Sequence, residues 1–361
     1  MKSKQKDFPL IKTRIKGVTK NFNLADPKER KEYFQKKVGQ EISLLKKYLR
    51  RDTFIAYFLG KKNAGKGTYT KLMVEIFGPD KIGHVSVGDI VRATHQEIKD
   101  RRKKKELVDY LSRNYRGYVS VRQILGNLAD RSTSSLLPAE FILALVKREI
   151  DRLPRKSLFI DGFPRDLDQV SYSLFFRDLI NYRDDPDIFV AIDIPESVID
   201  ARMKNRVVCP KCQTPRSLKL FPSKRVGYDQ RKKEFYLICD NPQCQGARMV
   251  GKEGDNLGIE SIRERLNLDS QLIDKIFSLH GIPKILLRNS VPARLAKRYV
   301  DDYEITPEYS YQFEPRSGQV KMTEKSWTIK DDQGQEVHSL LAPPVVISLI
   351  KQLVSVLGLA K

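Results

Sequence analysis

Short apolar runs alternate with amphipathic stretches along the middle of the chain. "TFIAYFL" at 53–59, "SLFIDGF" at 157–163 and "DIFVAIDI" at 187–194 are too brief for most helices and rich in β-branched and aromatic residues, so they predict buried parallel strands. "KIGHVSV" at 81–87 and "PKILLRN" at 283–289 are strand-like too. The segments between them have helical spacing. This alternation predicts an α/β protein with a doubly wound parallel sheet, whose ligands lie at the carboxyl ends of the strands.

Several helices are predicted from their end signals. A basic helix extends from about Asp26 to Leu49, with Asp26 as its cap and a proline at its first position. A polar helical region covers 89–115, and a further helix covers 166–180. A long helix returns at 259–281, where a glycine can terminate it.

The pattern changes twice along the chain. Between 207 and 250 it becomes rich in Cys, Pro and Lys with short β-like pieces, which predicts an inserted subdomain. Residues 303–341 look like antiparallel strands with a turn at "DDQG", and an amphipathic helix closes the chain. We expect these regions: a basic extension at 1–52, a core at 53–206 and 257–300, an insertion at 207–256, and a β-rich C-terminal extension with its closing helix at 301–361.

Composition and charge narrow the class of protein. Of 361 residues, 40% are hydrophobic and 9% aromatic, as in folded globular proteins. The net charge of +22 attracts anions, and much of it lies at 1–52 and in "KDRRKKK" at 99–105, which we interpret as solvated faces. No apolar stretch is long enough to span a bilayer and the first residues lack the apolar core of a signal peptide, so we expect a cytoplasmic protein.

A phosphate-binding loop is predicted directly after the first apolar strand. "FLGKKNAGKGTYT" at 58–70 has glycines, a lysine and a threonine at the required spacing. Backbone N–H groups at the following helix start would face the phosphates, Lys66 would reach the β and γ phosphates, and Thr68 would ligate magnesium. Asp161 ends a predicted strand, where a carboxylate would lie next to that magnesium. The sheet is therefore of the phosphate-loop NTPase type.

Five stretches together resemble the nucleoside monophosphate kinases, and the adenylate kinases in particular. They are "GKKNAGKGT" at 60–68, "SVGDIVRA" at 86–93, "LLPAEFILALVK" at 136–147, "IDGFPRDLDQ" at 160–169, and the region with the cysteines. The resemblance covers about residues 54–290, and "DGFPR" after "GKGT" in this order is its most specific part. It identifies the insertion as a lid and the segment at about 87–137 as the part that binds the acceptor nucleotide.

The resemblance implies a donor site for ATP and a set of cations for the transfer. Arg202 and Arg206, one helical turn apart in "ARMKNR", match arginines near the donor, with Arg206 on its phosphates. The ATP-binding residues implied are Gly60, Asn63, Ala64, Gly65, Lys66, Gly67, Thr68, Arg202 and Arg206. Lys66, Arg165, Arg206 and Arg265 would stabilise the moving phosphoryl group, and no general base is needed because the attacking phosphate is already anionic.

The resemblance also implies an acceptor site. Arg92 and Arg165 match the arginines that hold the monophosphate, a task that suits the guanidinium fork. Gln169 matches the side chain that reads the adenine edge, which favours AMP. The acceptor-binding residues implied are Arg92, Leu137, Gly162, Arg165 and Gln169.

The sequence departs from the family pattern at four places. Asn63 replaces a glycine, and lysines precede it at 61 and 62; asparagine tolerates left-handed backbone, so we expect the loop to form. Val87 stands where a Thr or Ser is usual near the acceptor nucleoside. The segment at 95–133 is longer than usual. In "RMVGKEGDN", either Arg248 or Lys252 would supply the lid cation, and the sequence leaves this open.

All four cysteines belong to two knuckles in the insertion. Cys209 and Cys212 have the spacing typical of structural zinc, and Cys239 and Cys244 form a slightly longer second knuckle. Four thiolates would close a tetrahedral site, so the zinc would stabilise the fold rather than catalyse. A small insertion with little apolar core would fold largely on metal binding.

The function predicted from these residues is reversible phosphoryl transfer from Mg-ATP to AMP by a monomeric enzyme. One alternative is the same chemistry on UMP, CMP or GMP, motivated by Val87 and the long acceptor segment. Another is a nucleic-acid-binding zinc protein that retains the kinase scaffold as an ATP sensor, motivated by the basic arm and the knuckles. It predicts tight, salt-sensitive binding of RNA or DNA. No membrane partner is expected, and the extensions at both ends are expected to pack against the core.

Overall fold

A computed structural model describes residues 8–17, 20–129, 137–164, 185–252 and 254–360. The strands in this part of the chain are β1 (Ile55–Gly60), β2 (Ile82–Ser86), β3 (Ser157–Asp161), β4 (Asp187–Asp193), β5 (Arg206–Val208), β6 (Pro215–Ser217), β7 (Arg225–Asp229), β8 (Glu234–Ile238), β9 (Val250–Gly251), β10 (Lys284–Arg288), β11 (Ser290–Pro292), β12 (Pro307–Glu314), β13 (Gln319–Ser326), β14 (Ile329–Lys330) and β15 (Glu336–Ser339). The α-helices are α1 (Pro27–Tyr48), α2 (Lys66–Phe77), α3 (Val87–Glu97), α4 (Arg101–Asn114), α5 (Val121–Ala129), α6 (Ala139–Asp151), α7 (Glu196–Lys204), α8 (Arg263–Ser278), α9 (Ala296–Tyr299) and α10 (Ala342–Val356).

The central sheet has five parallel strands in the order β10-β4-β1-β3-β2. Successive side chains of β1 enter different cores: Ala56 and Phe58 pack with α1, α2 and α10, whereas Tyr57 packs with α6 and α8 on the opposite face. A strand buried on both faces must be apolar at every position, which explains the continuous apolar runs. The predicted doubly wound parallel sheet is confirmed.

Both terminal extensions pack against this core. Asp26 caps α1 through the amides of residues 28 and 29, as predicted. The buried Lys37 side chain of α1 donates to Asp301 at 2.6 Å and lies 3.7 Å from the fully buried Glu304. Glu304 also accepts from the Tyr33 hydroxyl at 2.6 Å. A buried charge network thus joins the beginning of the chain to the start of its C-terminal extension.

The acceptor-side segment has a small core of its own. Leu107 and Leu111 of α4 pack with Ile124 of α5 and Phe141 of α6. The single helical region predicted at 89–115 is wrong in one respect: it is divided into α3 and α4. The division occurs where Asp100 leaves helical geometry and its side chain caps α4. Asp at an N-cap satisfies a backbone amide that a continuous helix would bond internally, so the chain restarts there.

The insertion and the C-terminal extension contain small antiparallel sheets. In the insertion, β6-β5-β9 form one sheet and β7-β8 another. In the extension, β12 and β13 form a hairpin, and β14 pairs with β15 through the predicted turn at 331–334. β15 also pairs with β11, directly after the last core strand, so the extension is continuous with the core.

Two local predictions were wrong. Arg206 does not lie on the same helix as Arg202, because α7 ends at Lys204 and Arg206 begins β5 of the insertion. Gly281 does not terminate α8, which ends at Ser278 with extended backbone at the following residue. In both places the chain leaves the helix early and continues toward a strand, β5 after α7 and β10 after α8. The helix predicted at 166–180 lies outside the described residues.

Candidate functional site

The phosphate loop joins the end of β1 to the start of α2. Asn63 has φ +68° and Gly65 has φ +100°, so the loop uses left-handed backbone at two positions and Asn63 adopts it as expected. A Cβ on Gly65 would lie 3.0 Å from the buried Tyr69 ring, and one on Gly60 would lie 3.1 Å from the Cβ of Ile192. These close approaches and the positive φ require glycine. Ala64 is buried within the loop.

Lys66 lies folded across this loop. Its Nζ donates to the carbonyl oxygens of Gly60 at 2.9 Å and Lys61 at 3.3 Å, and lies 3.7 Å from Asp161 Oδ1. Asp161 reaches this position because β1 and β3 are parallel neighbours in which Phe58 is opposite Asp161. The predicted lysine and carboxylate are therefore brought together at the carboxyl end of the sheet.

The predicted magnesium ligand Thr68 lies on the first turn of α2. Thr68 is exposed, and its backbone amide donates to the Gly65 carbonyl oxygen at 2.9 Å. Gly67 precedes it on the same turn and is partly exposed. The helix start thus opens toward solvent at the loop, which suits the binding of an anion there.

A group of cations faces the loop from three elements. Partial burial lowers the pKa of Lys62, and Lys252, Arg206 and Arg265 lower it further, whereas Asp255 opposes the shift. Burial is the main cause of the lowered pKa, and the three neighbouring cations add to it because they make a further positive charge less favourable. Such a surface is complementary to the phosphates of a nucleotide.

Two carboxylates hold the arginines of this group. Arg206 makes a two-pronged contact with Asp255, at 2.5 and 2.6 Å. Arg265 Nη2 lies 2.9 Å from Asp269 Oδ1, and the other oxygen of Asp269 accepts the Lys62 amide at 3.2 Å. Burial raises the pKa of the Asp269 carboxyl, and Arg265 and Lys66 oppose the rise. A cleft lies beside the Arg265–Asp269 pair, and its lining includes Gly60, Lys66, Gly162, Arg265, Asp269 and neighbouring apolar residues.

The two lysines that depart from the usual loop pattern have different surroundings. Lys61 Nζ lies 3.1 Å from a Glu196 oxygen and 3.3 Å from Asp332 Oδ2, so it connects the loop to α7 and the C-terminal extension. Lys62 belongs to the cation group. From the sequence, both lysines were interpreted as substitutions in one loop. The one further local signal of these contacts was the i,i+4 spacing of Arg265 and Asp269, which allows the two side chains to pair on a helix.

The Arg202 side chain binds the backbone of the phosphate loop. Its guanidinium donates to the Asn63 carbonyl oxygen at 3.2 Å, to Asn289 Oδ1 at 3.3 Å and to Ser339 Oγ at 3.4 Å. Asn289 and Ser339 were missed from the sequence, because nothing local marks an Asn or a Ser that contacts a residue of a distant helix.

On the acceptor side, the described residues are more open. Arg92 pairs with Asp89 one turn earlier on α3, and 73% of its side chain is exposed. Val87 is fully buried in the core beneath α3, and Leu137 is partly buried against the same core. Gly162 reaches the cleft beside Lys66. The predicted residues Arg165 and Gln169 lie outside the described residues.

The four cysteines meet in the insertion as the two knuckles predict. The Sγ atoms of Cys209, Cys212, Cys239 and Cys244 all lie within 4.8 Å of one another, and the Cys212 and Cys239 sulfurs are 3.7 Å apart. Zn–S bonds of about 2.3 Å in a tetrahedron place sulfurs about 3.8 Å apart, so this arrangement fits a zinc ion. Two of the few apolar residues here, Leu237 and Met249, pack on the cysteines.

The two candidate lid cations, Arg248 and Lys252, have different surroundings. Arg248 pairs with Asp229 at 3.1 Å and lies over the Tyr236 ring, 4.1 Å from its centroid. Lys252 lies close enough to the loop to lower the pKa of Lys62. Of these two, Lys252 is the one that belongs to the cation group.

The parallel sheet, the glycine loop at a helix start and the carboxylate beside its lysine define a phosphate-loop nucleotide-binding protein. No protein-family model matches the chain. The chain is 30% identical over 211 residues to the adenylate kinase of Clostridium acetobutylicum, covering 58% of this chain and 79% of that relative. It is 28% identical over 232 residues to the adenylate kinase of Thermotoga petrophila, covering 64% of this chain and 87% of the relative. The adenylate kinase of Treponema denticola is 29% identical over 223 residues, covering 60% of this chain and 84% of the relative.

The chain therefore belongs to the adenylate kinase family and is an enzyme of the nucleoside monophosphate kinase type. Both conclusions confirm the resemblance read from the motifs. Within the described part of the chain, no helix combines the length and the apolar character needed to cross a membrane.

Proposed function

We propose that this protein transfers the γ-phosphoryl group of Mg-ATP to AMP, giving two ADP, and that Lys66, Arg206 and Arg265 act on the phosphates. The observation that supports the proposal is the group of cations at the phosphate loop, in which Lys62, Arg206, Lys252 and Arg265 gather near the cleft that Lys66 and Arg265 line. A bound triphosphate would relieve the repulsion among these cations. Lys252 would supply the lid cation, because it belongs to the same group.

The donor site also has an unsatisfied donor. Asn63 Nδ2 is buried and has no hydrogen-bond partner within the described residues. A buried amide without a partner costs free energy, and acceptor-rich phosphate oxygens at the loop would satisfy it. The ATP phosphates would then lie against Asn63 and the helix start at Gly65–Thr68.

Magnesium fits the residues at the end of the loop. Thr68 and Asp161 are oxygen ligands of the kind this cation prefers, and Asp161 stands beside Lys66. When bound with ATP, magnesium would neutralise charge on the β and γ phosphates. In the lid, Cys209, Cys212, Cys239 and Cys244 would hold structural zinc, which would stabilise the small insertion without taking part in the reaction.

This chain's residues would act mainly by positioning and charge. Lys66, Arg206 and Arg265 would hold the phosphoryl group in line with the attacking monophosphate, and the acceptor would be held by Arg92, Arg165 and Gln169, as the family motif implies. Arg206 and Arg265 would exchange Asp255 and Asp269 for phosphate oxygens on binding. The lid would close over the cleft to keep water from the phosphoryl group.

The proposal is tested with purified protein, Mg-ATP and a panel of AMP, UMP, CMP and GMP at fixed ATP. We expect ADP formation fastest with AMP, and a fall of about 10²–10³ in kcat for Lys66→Met, the loss that follows removal of one preorganised charge from a transition state. Lys71→Met, on the exposed face of the same helix, is the matched control and should retain activity.

Formation of no ADP with any acceptor would reject the proposal, and so would equal rates for the two lysine variants. A preference for another monophosphate would reject AMP while leaving the chemistry in place. Tight, salt-sensitive binding of RNA or DNA without ADP formation would favour the nucleic-acid alternative.

A further inference from the structure

A buried polar network connects the phosphate loop to the C-terminal extension. Ser339 on β15 is fully buried and donates to Asn289 Oδ1 at 3.0 Å. Asn289, itself 1% exposed, donates to the Tyr69 hydroxyl at 3.0 Å and to the Leu340 carbonyl oxygen at 3.2 Å. Arg202 donates to both Asn289 and Ser339. Within the network, Asn289, Ser339 and Arg202 thus each bond to the other two.

The network contacts the loop at its two left-handed residues. Arg202 Nη1 donates to the carbonyl oxygen of Asn63, where φ is +68°. The Tyr69 ring lies directly under Gly65, and the Tyr69 amide bonds to the Gly65 carbonyl oxygen at 3.0 Å. Few residues other than glycine adopt the left-handed φ of Asn63, so the contact with Arg202 helps to hold the loop backbone in this shape.

Arg202 carries a charge that the surrounding protein leaves unbalanced. Burial lowers the pKa of its guanidinium, and no ion pair involves it within the described part of the chain. Its partners are a carbonyl, an amide and a hydroxyl. Neutral acceptors fix the orientation of a guanidinium without cancelling its charge, so the positive potential at the loop is retained for an anion.

A second contact supports the same loop from the extension. Asp332, in the turn between β14 and β15, accepts the Glu196 amide at 2.7 Å through one oxygen, and its other oxygen lies 3.3 Å from Lys61 Nζ. The extension therefore contacts the loop region at Lys61 through Asp332 and at Asn63 through Ser339 and Arg202.

We propose that Asn289 and Ser339 are positioning residues of the donor site: they orient Arg202 and thereby fix the Asn63 peptide of the phosphate loop in the shape that binds ATP. The C-terminal extension is then part of the donor site. This inference deepens the proposed function and rests on it.

The test compares Ser339→Ala with Ser348→Ala in the full chain. Ser348 lies in the same extension, on α10, where its hydroxyl accepts from Gln352 at 3.0 Å and contacts no loop residue. We expect Ser339→Ala to weaken ATP affinity about five-fold, the value of one hydrogen bond of about 1 kcal/mol, with the KM for AMP unchanged. Ser348→Ala should change neither. Affinity is measured directly with a fluorescent ATP analogue in the absence of acceptor, as well as from KM.

Amide hydrogen exchange over residues 61–66 separates positioning of the loop from general stability. A general loss of stability would speed exchange throughout the chain and not selectively in the loop. Exchange there should accelerate in Ser339→Ala and not in Ser348→Ala. If Ser339→Ala fails to fold, Arg202→Lys takes its place, because it keeps the positive charge and loses the guanidinium group. It should show the same faster exchange and weaker ATP binding.

Equal ATP affinities and equal loop exchange in the two serine variants would overturn the inference while the wild-type activity stood. An equal rise in the KM for ATP and in the KM for AMP would also overturn it, because a general loss of structure weakens both substrates alike. Absence of any wild-type kinase activity would instead reject the proposed function, and the ATP-analogue and exchange measurements would still report on the network.

Discussion

Replacing Phe313 with alanine is expected to loosen the lid from the C-terminal hairpin. The Phe313 ring of β12 is stacked on Tyr228 of β7, with centroids 4.5 Å apart and planes 21° apart. Next to this pair, Tyr311 lies 5.5 Å from Phe235 and its hydroxyl donates to the Leu218 carbonyl oxygen at 2.6 Å. One face of β12 therefore lies on the insertion that contains the cysteine cluster.

The magnitude follows from the burial and the stacking. Full burial of a Phe side chain is worth about 1.5–3 kcal/mol, and Phe313 is partly buried, so its apolar contribution is about 1 kcal/mol. An aromatic pair adds about 0.5–1.5 kcal/mol. Phe313→Ala should therefore cost about 2 kcal/mol of the free energy that holds the hairpin and the lid together, a factor of about 30 in local opening.

The assay is amide hydrogen exchange of β7 and β8 in a double-mutant cycle with Tyr228→Ala. The two substitutions should be non-additive by about 0.5–1.5 kcal/mol, because each removes the same ring contact. Gln312→Ala, on the exposed face of the same strand, is the matched control and should change local opening by less than about 0.5 kcal/mol. Additive effects, or a Phe313→Ala effect no larger than the control, would refute a direct contact between hairpin and lid.

Three further predictions concern stability. Lys37→Met should cost about 3–5 kcal/mol in urea unfolding, because it leaves buried carboxylates without their cation; a cost no larger than that of the exposed Arg102→Met, about 1 kcal/mol or less, would contradict this. The Lys219 ion pair lowers the pKa of Glu308, so its contribution is present at neutral pH and lost as the pH falls through that lowered pKa. The Glu308→Gln unfolding midpoint should accordingly lose less on acidification than that of the wild type, and an identical pH profile would argue against the pair. A zinc chelator or Cys244→Ser should speed exchange throughout the insertion while leaving the central sheet protected, as measured by mass spectrometry, and unaltered exchange would exclude a structural metal.

Much of the core could be predicted because its signals are local. The β1 and β3 runs are apolar along their middle positions since both faces of the sheet are covered. Asp161 could be placed beside Lys66 because parallel strands end at one edge of the sheet. The cysteine pairs could be assigned to one cluster because knuckle spacing constrains each pair. Short-range geometry was sufficient in each case.

Predictions failed where a distant contact overrides a local pattern. Arg202 and Arg206 have helical spacing, yet the chain leaves α7 at Lys204 so that Arg206 can pair with Asp255, 49 residues later. The break at Asp100 was missed because the residues on both sides of it are compatible with one continuous polar helix. Only the capping geometry of Asp100 divides this segment into α3 and α4.

The sequence by itself determined the parallel sheet, the phosphate loop and the cysteine cluster, since periodicity and residue spacing indicate each of them over a few residues. The family was indicated by the resemblance of five motifs. Only the tertiary structure decided what the paired lysines do: Lys61 is tied to the extension and Lys62 joins the cations at the loop. It also brought Ser339 within 3.4 Å of Arg202, across 137 residues of sequence. Such contacts follow from the packing of whole elements, and neither residue carries a local mark of its partner.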